Sequence, residues 1–131
     1  MQMPSQPVLL DANSALRYLL EDNDNQAEEV ARAIETGAEI TLEVISECVY
    51  VLAGVYQVPR GYIAESLGIL LDEIACRRKE VAASALGLYG ASKLDFVDCI
   101  LAAEHDVASR TVLTFDKKLL SLMRKLDDAR L

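Results

Sequence analysis

The sequence predicts an α/β fold, a three-layer sandwich in which helices flank a mainly parallel central sheet. Short apolar runs at residues 7–10 and 111–114 have the length and composition of buried strands. Long segments with apolar residues at helical spacing separate these runs. Strands that alternate with helices are typical of parallel sheets, because the connections between parallel strands are usually helical.

The first half of the chain predicts two short strands and three helices. Pro7 to Leu10 forms the first strand, so that Asp11 lies at its carboxyl end. Gly37 ends the second helix, and a second short strand precedes the third helix. A polar cluster after the first helix supplies a cap for the second. The helices are expected at residues 13–20, 26–36 and 44–55, the polar cluster at 21–25 and the second strand at 39–41.

The second half of the chain predicts four helices and one strand. Pro59 suits the first turn of the fourth helix, where its missing N–H is not needed. The third of these helices is expected to be largely buried, with Val97, Ile100, Leu101 and Val107 inside. The four helices are expected at residues 59–74, 80–89, 96–108 and 117–126, and the strand at 111–114.

Length and composition indicate one globular domain over residues 1–131. The chain is 52% hydrophobic and 26% charged, which disfavours disorder. Its apolar runs are far shorter than the roughly twenty residues that a membrane span needs. Residues 1–7 contain no basic segment or cleavage site typical of a secretory signal, so we expect a cytoplasmic protein.

The cysteines and the net charge exclude further classes of structure and of binding surface. Cys48, Cys76 and Cys99 are odd in number and include no CxxC pair, which disfavours a disulfide framework or a zinc knuckle. Cys48 and Cys99 are expected to be buried as small hydrophobic residues. The net charge of −8 argues against a broad nucleic-acid-binding surface. Carboxylates that hold cations would account for part of this charge.

Four acidic residues stand out because they occur in apolar surroundings: Asp11, Glu47, Asp98 and Asp116. Burying several carboxylates together is prohibitive unless cations neutralise them. Oxygen ligands favour magnesium or manganese, and a magnesium-bound water can attack a phosphodiester. Two of these residues also fall beyond predicted strand ends, where ligands gather in parallel sheets.

The sequence resembles the PIN-domain family in four segments spread over nearly the whole chain. The segments are Leu9-Leu10-Asp11-Ala12-Asn13, Ile45-Ser46-Glu47, the stretch from Leu94 to Ala103 that contains Asp98, and Val112 to Lys118 with Asp116. Each segment alone is weak evidence, but the four occur in the order and at the intervals typical of the family.

This resemblance implies a PIN-like fold and RNA cleavage by metal-activated water. It assigns the acidic metal site to Asp11, Glu47, Asp98 and Asp116, as catalytic residues and metal ligands. It assigns supporting polar positions to Asn13 and Thr114. The cofactor would be Mg²⁺, with Mn²⁺ as a possible substitute, and one or two ions would bind. The short architecture is similar to the VapC toxins, which implies a VapB-like antitoxin as partner and a homodimer.

Simpler roles and other functions remain open at this stage. Asp11 and Asp116 could each be only a helix cap, and Asp95 is expected to cap the helix that carries Asp98. The basic segments 77–79 and 117–118 are usually solvated faces rather than RNA contacts. The alternatives are a non-catalytic PIN-fold module that binds RNA or protein and, less well supported, a receiver-like signalling domain.

Overall fold

The computed structural model describes residues 6–131. Residues 1–5, which make up most of the segment inspected for a secretory signal, lie outside this part of the chain. Seven helices follow one another in the described residues: α1 (Ala12–Leu20), α2 (Asp24–Glu35), α3 (Leu42–Gly54), α4 (Arg60–Glu73), α5 (Lys79–Ala91), α6 (Phe96–Val107) and α7 (Lys117–Ala129). None of these helices has the length and apolar character needed to cross a membrane.

The prediction of a three-layer α/β sandwich is wrong. Between residues 6 and 131 no strand of a sheet forms, and extended segments meet only at two isolated parallel bridges, Leu9 to Glu39 and Glu39 to Ala75. The Glu39 N–H donates to the Val8 carbonyl at 2.7 Å, and the Ile40 N–H donates to the Ala75 carbonyl at 2.9 Å. Neither bridge continues into a strand, because a helix begins or ends within three residues of each bridge.

The strand predicted at residues 111–114 is also not observed. The segment has no regular secondary structure and forms no bridge, and the Leu113 side chain is 86% exposed. Val112 packs instead against a small cluster formed by Ala102 of α6 and Leu119 and Met123 of α7. The apolar run therefore anchors a connection to the last helix, and its outward side chains have no sheet or helix to cover them.

The helical part of the prediction is confirmed, with ends that differ by a few residues. Asn23 caps α2, since its side chain accepts the Gln26 N–H at 3.0 Å. Gly37 follows α2 with a φ of +94°, the left-handed conformation that glycine adopts without strain. Pro59 is the N-cap of α4 rather than a residue of its first turn.

The core is built by helices packed on α3 and α5. The central helix α3 contacts α1, α4, α5 and α6, while α5 lies between α4 and α6, and α7 covers α6. Phe96, at the start of α6, is fully buried and meets the Tyr89 ring edge to face, with ring centroids 5.8 Å apart. Cys48 and Cys99 are fully buried, which confirms their prediction as core residues.

The buried face of α6 differs from the predicted one. Phe96, Cys99, Ala102 and Ala103 point into the core, whereas Val97 is 51% exposed and Leu101 and Val107 are also exposed. Ile100 alone of the four expected residues packs partly against the core. A helix with apolar residues on most of its circumference does not reveal from its sequence which side the neighbouring helices will cover.

Candidate functional site

Asp98 lies in the first turn of α6 and is the half-buried member of the acidic set. Burial raises the pKa of its carboxyl group, and the nearby carboxylates of Asp116 and Asp95 raise it further. Among the ion pairs of the described residues, none involves Asp98, Asp116 or Asp95. Asp98 therefore feels the charges of two other carboxylates and has no ion-pair partner among the described residues.

Asp116 is the N-cap of α7. Its Oδ1 atom accepts the Lys118 N–H at 2.9 Å and the Leu119 N–H at 3.0 Å. The Thr114 hydroxyl accepts the Asp116 N–H at 3.0 Å, so Thr114 fixes the backbone just before the helix. Both capping bonds use the same carboxylate oxygen, which leaves Oδ2 available to another ligand. Capping the helix and contacting a cation are thus compatible at Asp116.

Asp11 and Glu47 form the other half of the acidic set. Asp11 caps α1 by accepting the Ser14 N–H at 2.8 Å, and this hydrogen bond lowers the pKa of the Asp11 carboxyl group. Glu47 lies on α3 beside Cys48. Burial raises the pKa of the Cys48 thiol to about 12, and the charges of Glu47 and Asp11 contribute, which shows that both carboxylates lie near this thiol.

The four carboxylates do not form one cluster as the side chains stand. Within residues 6–131, no three His, Cys, Asp or Glu side chains lie close enough together to hold a metal ion. The charge of Asp116 acts on Asp98, whereas the charges of Asp11 and Glu47 both act on the Cys48 thiol. The missing sheet explains the separation, because the segment before Asp116 does not pair with the segment before Asp11. The four-residue site stays a prediction.

Two expectations about the surroundings of these residues are wrong. Asp11, Glu47 and Asp116 are exposed, so only Asp98 fits the argument from burial. Asp95 occupies the N-cap position of α6, but its side chain accepts no capping hydrogen bond. Its carboxylate is thus unused by the helix and adds to the charge around Asp98. Asn13 is exposed on α1, beside a groove that Arg17 and Gln26 also line.

Arg60 is a supporting residue that sequence reasoning missed. Its guanidinium lies 3.7 Å from the Tyr89 ring centroid and donates to the Tyr89 carbonyl at 3.0 Å. It also donates to the Leu94 carbonyl. Arg60 thereby ties α4 to the loop that leads into Asp95 and α6. The only feature of the sequence that could have indicated this role is a single basic residue at the start of an apolar helix.

The Asp98 and Asp116 pair fits a magnesium ion by charge and by ligand type. Magnesium prefers oxygen ligands, keeps several waters and is usually held by one or two protein carboxylates together with substrate phosphates. A two-carboxylate site is therefore sufficient for protein ligation, and the uncompensated charge around Asp98 is of the sign that a cation would neutralise.

Comparison with known proteins gives one match. The family model described as PIN domain matches residues 8–125, which includes all four acidic residues and both supporting residues. No curated protein and no solved structure matches the chain closely enough for comparison. PIN domains are generally nucleases, bind RNA and typically use a divalent metal ion. Because the match covers most of its length, the chain belongs to the PIN domain family.

Proposed function

We propose that the protein is a magnesium-dependent endoribonuclease, with Asp98 and Asp116 at the centre of its active site and Asp11 and Glu47 completing it. The observation that carries the proposal is the group of carboxylates around half-buried Asp98, which no cationic side chain neutralises. Functional sites are places where such electrostatic strain is retained. The PIN domain match supports the choice of RNA hydrolysis.

The proposed roles of the side chains combine the PIN domain match with the hydrogen bonds of each residue. Asp98 and Asp116 would hold the cation, and Thr114 would keep Asp116 in place through its backbone N–H. A bound magnesium ion would supply an activated water and offset the charge of the phosphate. Asp11, held by the Ser14 N–H, and Glu47 on α3 would add further carboxylates to the site, with Asn13 as a neutral donor.

The toxin role is a finer part of the same proposal. The similarity to VapC toxins in motif order supports a VapBC-like pair with a VapB-like antitoxin. We propose that the protein is cytoplasmic and consists of one PIN-like domain. A homodimer is supported by exposed apolar residues after the middle of α3, where Tyr50 is 48% and Val55 is 72% exposed. A short adjacent gene for a DNA-binding protein would support the toxin assignment.

A second candidate is a PIN-fold module that binds RNA or protein without cutting it. The observation in its favour is that no group of three metal-ligating side chains forms within residues 6–131. The two candidates differ in whether a metal ion is needed for an activity.

Removing divalent metal distinguishes them. The purified protein is expected to cleave RNA in magnesium, to lose cleavage in excess EDTA and to regain it when magnesium or manganese is added back, because carboxylates alone cannot stabilise a more negative transition state. Gel analysis of end-labelled RNA measures this. Cleavage that persists in EDTA, or no cleavage of any RNA pool with either metal, would reject the proposal.

A further inference from the structure

The few lysines of this acidic chain are concentrated at one place. Four of the five lysines line a single groove between the loop before α6 and helix α7: Lys93, Lys117, Lys118 and Lys125. Ser92, Ser121 and the apolar residues Leu94 and Leu122 complete the groove, which encloses about 430 Å³. The fifth lysine, Lys79, starts α5 and lies outside it.

These lysines are not used to hold the fold together. The ion pairs of the described part of the chain involve arginines and His105 but none of the four groove lysines. All four are exposed. In a protein with a net charge of −8, four cations collected in one groove without acidic partners form a local site for an anion.

The spacing of the groove suits an extended polyanion better than a small one. Lys118 and Lys125 share a face of α7 and are seven residues apart, which corresponds to roughly 10 Å along the helix axis. Lys93 faces this helix from the opposite loop. Leu94 and Leu122 add apolar side chains to the lining of the groove, which suits riboses and unpaired bases better than the outside of a duplex.

The groove also adjoins the proposed active site along the chain. Lys117 directly follows Asp116, and Lys93 precedes Asp95 by two residues. Asp95 and Asp116 are the carboxylates that act on Asp98. An anion that follows the groove thus reaches these carboxylates at one end.

We propose that this lysine groove binds the phosphate backbone of single-stranded RNA and leads it to Asp98 and Asp116. The proposal rests on the proposed function, since it makes the groove the substrate path of that active site. It answers how a chain of high negative charge binds RNA: through one groove rather than a broad basic surface.

The test compares two triple variants with the same net charge of −11, which is −8 minus three. The groove variant carries Lys93→Gln, Lys118→Gln and Lys125→Gln, and leaves Lys117 beside Asp116 unchanged. The control variant carries Arg32→Gln, Lys79→Gln and Arg124→Gln, which are exposed, form no ion pair in the described residues and lie outside the groove. Circular dichroism checks that both variants fold.

Binding is measured by fluorescence anisotropy with a labelled oligouridylate in EDTA, so that no cleavage is required. We expect the groove variant to bind about tenfold more weakly or worse, and its slope of log K against log salt to be smaller by about 2, given about 0.7 for each phosphate contact on a single strand. The control variant should bind almost as wild type does. Equal binding by the two variants would overturn the proposal.

Polyglutamate serves as the competing polyanion. Groove-dependent binding of polyglutamate with unchanged RNA binding would assign the groove to an acidic protein partner and would also overturn the proposal. The result for the groove can be distinguished from the result for the proposed nuclease activity. Groove-dependent binding by a protein that never cleaves RNA would reject the nuclease and retain the groove, whereas magnesium-dependent cleavage with groove-independent binding would do the reverse.

Discussion

Replacing Asp98 with Asn is expected to abolish RNA cleavage in magnesium, with a loss of at least about 10²-fold in rate. Asn keeps the size of the side chain but removes the charge that would bind the cation. Asp98 is half-buried and lies under the influence of the Asp116 charge, so we expect its substitution to have the largest effect among the four carboxylates. Initial rates on end-labelled RNA measure the effect.

Asp106→Asn is the matched control for this substitution. Asp106 lies on the same helix and is also half-buried, but it pairs with Arg130 at 2.7 Å and has no role in the proposed site. We expect this variant to cleave RNA at nearly the wild-type rate. Full activity in Asp98→Asn would remove the proposed mechanism.

The same Asp98→Asn substitution should stabilise the metal-free protein at neutral pH. The pKa of Asp98 is raised in the folded state, so the folded protein binds more protons than the unfolded chain between the two pKa values. Stability therefore falls as pH rises through this window, and the loss is complete above the folded pKa. Asn does not titrate and so removes this pH-dependent loss of stability. Urea unfolding in EDTA at several pH values would show a smaller fall in the free energy of unfolding for the variant than for the wild type. Loss of activity together with gained stability excludes simple misfolding.

Replacing Phe96 with Ala is expected to give the largest loss of stability, about 3–5 kcal/mol in the free energy of unfolding. Phe96 is fully buried and its ring packs at 83° to the ring of Tyr89. Truncation would leave a cavity beneath the first turn of α6, the turn that carries Asp98. Urea unfolding followed by circular dichroism measures the change.

Val97→Ala supplies the comparison, because Val97 is the next residue of the same helix and is 51% exposed. Its truncation should cost well under the Phe96 value, on the order of 1 kcal/mol or less. Similar losses for the two variants would show that the first turn of α6 is not packed as described.

The helices could be predicted from the sequence because their signals are local. Apolar spacing, the Asn23 cap and Gly37 each act within a few residues. The sheet was predicted wrongly for the opposite reason, since pairing is non-local. The run at 111–114 has the composition of a buried strand, yet Val112 packs on α7 and no partner strand reaches it.

The candidate site shows the same difference between local and non-local signals. Asp98, Asp116 and Thr114 were predicted as site residues from the sequence; the Thr114 hydroxyl accepts the Asp116 N–H, and the charge of Asp116 acts on Asp98. The approach of Asp11 and Glu47 depends on how distant segments align, which sequence spacing does not determine. The lysine groove was missed because Lys93 and Lys125 join the Lys117 and Lys118 pair only in three dimensions.

Isothermal titration of manganese into metal-free protein tests the central claim most directly, namely that Asp98 and Asp116 together hold a divalent cation. Asp116→Asn is informative beside Asp98→Asn, since Asn also caps helices well and should keep α7 intact. The wild-type protein should bind the ion with measurable heat, and each variant should bind it at least about tenfold more weakly. Absence of binding to the wild type, or wild-type affinity in either variant, would contradict the assignment of the metal to this pair.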